Sequence, residues 1–143
     1  MEQSSWEARA KHLEMIQSVI ARMAANAFLI KGWTITFFSA ILLLGIQQRN
    51  WKFLLLALFT TIWFMFLDIF YHKKERCFRL LYQSIEQNTD SQEPPRFQID
   101  ASGFRNNQKC SWISVATSWS IAGLYVPLIA TAAVTCGFYV NAA

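Results

Sequence analysis

Histidine, cysteine and glycine are scarce in this chain, and each scarcity closes off a class of chemistry. His12 and His72 are the only histidines, so a histidine-based metal site lacks ligands. The three cysteines, Cys77, Cys110 and Cys136, have neither CxxC spacing nor a paired pattern, which argues against a zinc ribbon or a disulfide framework. With five glycines, none in a cluster, no phosphate-cradling loop can be drawn. No Ser/His/Asp arrangement appears either. We therefore expect no catalytic residues, no metal and no cofactor, and a protein that is not an enzyme.

Charge is missing over long stretches. Cys110–Ala143 contains no Asp, Glu, Lys, Arg or His. What is present instead is apolar: 54% hydrophobic and 15% aromatic residues, in 143 positions that suit one small domain. These residues gather in blocks too long for ordinary core helices. A span needs about 20 mostly apolar residues to cross about 30 Å of hydrocarbon. Three stretches qualify, Ala27–Ile46, Trp51–Tyr71 and about Ile113–Val140. The tail is too short for two spans and a turn, so it counts once, with Gly123 and Pro127 expected to kink it. No secretory signal is expected, because the first 26 residues are polar and charged and the first apolar run is too long for a signal core.

Lysine and arginine set the expected orientation. The long second connection carries Lys73, Lys74, Arg76, Arg79, Arg96, Arg105 and Lys109, against Arg49 and Lys52 in the first. The basic connection and the N-terminus are then cytoplasmic, with Trp33, Trp51 and Trp112 near the interfaces.

Ahead of the first span, Leu13, Ile16, Ile20, Met23, Ala27 and Ile30 recur at spacings of three and four, the mark of an amphipathic helix. Ser4 or Ser5 is the expected cap, with Glu7 in the first turn. Nothing stops this helix before Gly32. After the second span, Cys77, Phe78, Leu81 and Ile85 form a second stripe. Residues about 5–88 thus read as one long antiparallel helical hairpin extended into the cytoplasm. Folding it at Gln47–Asn50 sets Ile16 against Leu81, Ile20 against Cys77, and Lys31 within one helical turn of Asp68. A charge at mid-bilayer costs roughly 2.5–3.5 kcal/mol, so pairing or placement near the headgroups is expected. The Lys31–Asp68 pair either borders an ion pathway or acts as a static bridge that fixes register, and we read it chiefly as the bridge.

The predicted fold class is an all-α membrane protein with three transmembrane helices. Its parts are the amphipathic helix with the transmembrane hairpin (1–88), a cytoplasmic polar loop (89–111) and the third transmembrane helix (112–143). Pro94–Pro95 break any helix in the loop, and a short strand at Phe97–Ile99 is a weak alternative there. In the third span Thr117, Ser120, Thr131 and Thr135 share a face with Leu124 and Leu128 between them. Several such faces around an axis would make a hydroxyl-lined pore with an apolar constriction. The same residues also suit close helix packing. Lys73, Lys74, Arg76 and Arg79 follow a span directly and suit anionic lipid and topology. Arg96, Arg105 and Lys109 are the better candidates for a ligand or partner, with a nucleotide or nucleic acid as the weaker option.

The run His12–Leu42 (HLEMIQSVIARMAANAFLIKGWTITFFSAIL) carries a resemblance. Its amphipathic helix followed by Phe28, Leu29, Lys31, Gly32 and Trp33 resembles the start of small bacterial membrane proteins. Over about residues 5–88 the layout is similar to the two-transmembrane, SLATT-like effectors of anti-phage and conflict systems. The third span is an addition to that plan, and no sensor domain is recognisable. The resemblance implies a homo-oligomeric channel or membrane-depolarising effector in the bacterial inner membrane, with no catalytic residues, fired by a cytoplasmic sensor or enzyme partner. The alternative is a non-conducting anchor or scaffold that recruits a cytoplasmic partner.

Overall fold

The computed structural model describes residues 2–87, 101–104 and 107–141. Four helices account for most of them: α1 (Glu2–Gln47), α2 (Trp51–Gln87), α3 (Trp112–Ala116) and α4 (Trp119–Asn141). Two short 3-10 turns, Ser102–Phe104 and Gln108–Cys110, precede α3. No strand occurs among the described residues. Three of the helices, α1, α2 and α4, are long and apolar enough to cross a membrane. The chain is an all-helical protein with the build of a multi-pass membrane protein.

α1 passes without interruption from the polar N-terminal segment into the first apolar run. It starts at Glu2, so Ser4 and Ser5 lie inside the helix and neither caps it. Its inward edge is regular. Ile16, Ala27, Thr34 and Phe38 are buried, with Leu13, Ile20, Met23, Ile30 and Ile41 half-buried between them. Spacings of three and four sustained over this length are those of two helices wound around each other. The facing edge of α2 buries Leu54, Ala57, Thr61 and Asp68, then Cys77 and Leu81.

Three contacts fix the two helices as antiparallel neighbours. The Arg9 guanidinium donates to the Ile85 carbonyl. Lys31 meets Asp68. At the closed end, a Cβ on Gly45 would stand 3.0 Å from Leu54 Cδ2 and 3.2 Å from Phe53 Cβ, so glycine is what lets the backbones close. The turn between them holds Arg49 at φ 47°, in the left-handed region that usually ends a helix. The Asn50 side chain accepts from the Lys52 amide at 3.1 Å and starts α2.

α4 lies along α2, running against it, and touches α1 little. Ile121 and Tyr125 join Ile69 and Val115 in one buried cluster, flanked by Phe64, Met65, Leu124 and Ile129. Farther along, Ala132 meets Phe38 and Ala57, flanked by Leu128. The third apolar stretch is not the single helix expected over Ile113–Val140. It is interrupted at Thr117–Ser118, while α4 continues through Pro127. The break is local. Thr117 ends α3 and its hydroxyl bonds back to the Ile113 carbonyl at 2.9 Å. The Ser118 carbonyl then accepts from the Ile121 and Ala122 amides and opens α4.

Candidate functional site

The charged pair is the centre of a polar belt where all three long helices meet. Lys31 Nζ lies 3.0 Å from Asp68 Oδ1 and 2.8 Å from Oδ2, astride the carboxylate. Asp68 is fully buried, whereas the Lys31 side chain keeps 20% of its surface exposed. One turn along α2, His72 Nδ1 stands 3.5 Å from Asp68 Oδ1. At 1.5 Å per residue, Asp68 is roughly 25 Å along α2 from Trp51, close to the far edge of a 30 Å apolar layer. Burial without a partner would be prohibitive at this position, and the lysine supplies that partner.

One turn deeper lies a hydroxyl layer. The Tyr125 hydroxyl on α4 sits 3.4 Å from Thr34 Oγ1 on α1 and 3.4 Å from the Phe64 carbonyl on α2. Thr34 commits its own proton to the Ile30 carbonyl at 2.7 Å, so the single tyrosine proton is shared between Thr34 Oγ1 and the Phe64 carbonyl. Both of its bonds are long, and the buried ring rather than the hydroxyl does most to hold α4 in place. Thr61 is equally buried and bonds the Ala57 carbonyl at 2.8 Å. Every one of these groups is occupied by a neighbour, which suits a fixed joint between helices.

The hydroxyls of the third span are arranged differently. Thr131 donates to the Pro127 carbonyl at 2.8 Å and Thr135 to the Thr131 carbonyl at 2.7 Å. Thr117, Ser120 and Thr131 are exposed and Thr135 is half-buried. Leu124 and Leu128 lie on neighbouring rows of the same helix, half-buried, and pack against the two buried clusters. The six residues therefore differ in burial, the leucines bordering the packed edge and the hydroxyls mostly exposed beside them.

The basic residues after Asp68 are individually placed. Lys73 Nζ lies 4.7 Å from the centroid of the Trp112 ring, and Lys74 Nζ 4.7 Å from that of Phe70. Trp112 itself stacks on Phe66 at 5.5 Å. Arg76 donates to the Ser114 carbonyl at 3.2 Å and Arg79 pairs with Glu75 at 2.7 Å. Beside them Cys77 and Cys110 are buried free thiols. Burial, and then the neighbouring Cys77 thiol, push Cys110 up to about 11, which keeps it protonated. Arg96 and Arg105 lie outside the described residues, as do Pro94–Pro95 and Phe97–Ile99. Lys109 falls in the turn Gln108–Cys110, and its side chain is outside the description too.

Among the described residues no group of His, Cys, Asp and Glu has the arrangement to hold a metal ion. The sequence reading missed Thr34, Thr61 and Tyr125. A tyrosine in the middle of an uncharged apolar stretch was the available signal, since its hydroxyl needs a partner there. No protein-family model, characterised protein or solved structure matches this chain.

Proposed function

We propose that the chain is an inner-membrane protein of bacteria, N-terminus in the cytoplasm, that self-associates into a channel or membrane-depolarising effector of anti-phage defence. The ends of α1 and α2 beyond Lys31 and Asp68 then project into the cytoplasm, where a sensor or enzyme partner would act on them. The observation that carries this reading is the outer edge of α4. There Ser120, Gly123, Pro127, Thr131 and Gly137 are exposed, and a Cβ added at Gly123 or Gly137 would meet nothing within 4 Å. The hairpin leaves this edge uncovered. In a membrane, helices associate through close packing at small residues and through hydroxyl bonds, which is what the edge offers to a second copy. Three helices with a filled interior enclose no aqueous path, whereas copies arranged around α4 would.

The test combines mass and flux. Native mass in detergent is expected to give a closed oligomer, and liposomes loaded with the protein are expected to leak ions or dye once triggered. A monomer in detergent with tight liposomes would overturn the proposal. A stoichiometric soluble partner recovered from membranes, again with no conductance, would establish the anchor or scaffold reading in its place.

A further inference from the structure

Just beyond Asp68, two adjacent cations lie against aromatic rings and lack acidic partners among the described residues. Lys73 and Lys74 follow directly on the apolar run that ends at Tyr71, about 8 Å beyond the buried carboxylate at 1.5 Å per residue. The acids nearby among the described residues are already engaged, Asp68 with Lys31 and Glu75 with Arg79. Neither Lys73 nor Lys74 has a carboxylate at ion-pair distance among the described residues. Their ammonium groups rest on the faces of Trp112 and Phe70. Trp112 opens α3 and comes from the far side of the polar connection, so its contact with Lys73 is made by tertiary folding. Below the ammoniums, Phe66, Phe70, Trp112 and Ile113 present exposed apolar surface toward the region an acyl chain would fill.

We infer that Lys73, Lys74 and the ring of Trp112 form a cradle for one anionic phospholipid, its phosphate on the two ammoniums and its chains along Phe66 and Ile113. Charge complementarity selects the occupant. Two cations with no acidic partner among the described residues, at headgroup depth above an apolar wall, match a molecule with a net negative head and two apolar tails. A zwitterionic lipid brings its own cation to the same place and gains less. The inference rests on the membrane reading of the chain and is independent of whether it conducts. Resistance of the chain to carbonate extraction from membranes tests that premise separately.

The experiment is native mass spectrometry of the full chain in neutral detergent, titrated with phosphatidylglycerol or with phosphatidylcholine of the same acyl chains. The parent should retain phosphatidylglycerol at a concentration at least tenfold lower, since each juxtamembrane lysine contributes a several-fold preference. In K73Q/K74Q the preference should vanish. In R49Q/K52Q, which loses the same charge at the opposite end of α2, it should persist. Equal retention of the two lipids by the parent, or an undiminished preference in K73Q/K74Q, would overturn the inference. So would displacement of the lipid by inorganic phosphate at equal concentration, which would mark a site for free anions.

Discussion

Asp68 has no exposed surface and Lys31 keeps one fifth of its own, and this asymmetry sets what each substitution does. D68N leaves the ammonium facing an amide that cannot neutralise it. Breaking one side of a buried pair costs about 3–5 kcal/mol, and partial access of Lys31 to the headgroups should bring the loss to about 2–4 kcal/mol. Thermal or denaturant unfolding in mixed micelles measures it. The swapped pair K31D/D68K should recover only part of the loss, because it puts the lysine at the deeper, sealed position. K31M/D68L should recover more, since apolar side chains of similar volume replace a buried pair at little or no cost. If D68N and the swap both behave like the parent, the pair does not hold the hairpin together. This pairing was legible in the sequence because a turn of fixed length converts residue number into height along two helices. Tyr125 and Thr34 were not legible in the same way. Their meeting depends on which edge of α4 turns inward, and charge spacing says nothing about a stretch without charges.

Between elements, α1 and α2 approach closely at Gly45, and steric fit rather than charge decides the outcome there. The tight contacts a Cβ would make with Leu54 and Phe53 leave little room for growth. G45V should therefore splay the closed end of the hairpin, at about 1–3 kcal/mol by the usual cost of overpacking. Disulfide trapping of cysteines placed at Gln47 and Trp51 would report the splaying as slower cross-linking than in the parent background. Cross-linking at the parent rate would show that the turn absorbs the valine. The hairpin was readable because its two inward stripes differ from polar outer faces in the N-terminal segment and after Tyr71. Inside the membrane-length segments the contrast fades. Core and lipid both select apolar residues, so an all-round apolar helix such as α4 hides its packed edge. The break at Thr117–Ser118 was hidden for a related reason. Composition across Ile113–Val140 is uniformly apolar enough to span, and the separation of α3 from α4 rests on a few backbone bonds that composition does not encode.

For the whole molecule, the division of the third-span residues separates the stability of one protomer from the assembly of several. Leu124 and Leu128 pack on the hairpin, so L124A and L128A remove contacts inside the protomer. Each should lower unfolding stability by about 1–3 kcal/mol, toward the lower part of the large-to-small range because lipid can fill space at a half-buried site. Thr131 faces outward and satisfies its hydroxyl on its own helix. T131L should leave protomer stability within about 0.5 kcal/mol, the usual margin for a substitution that disturbs no packed feature. It should nonetheless shift the native-mass distribution toward smaller species and reduce liposome leakage, because a bulky side chain blocks the close approach that the small residues of α4 permit. Stability and assembly would then respond to neighbouring rows of one helix. If T131L left both mass and leakage unchanged while L124A altered leakage without loss of stability, the conducting edge would be the one facing the hairpin. An assembly built around the outer edge of α4 would then be excluded.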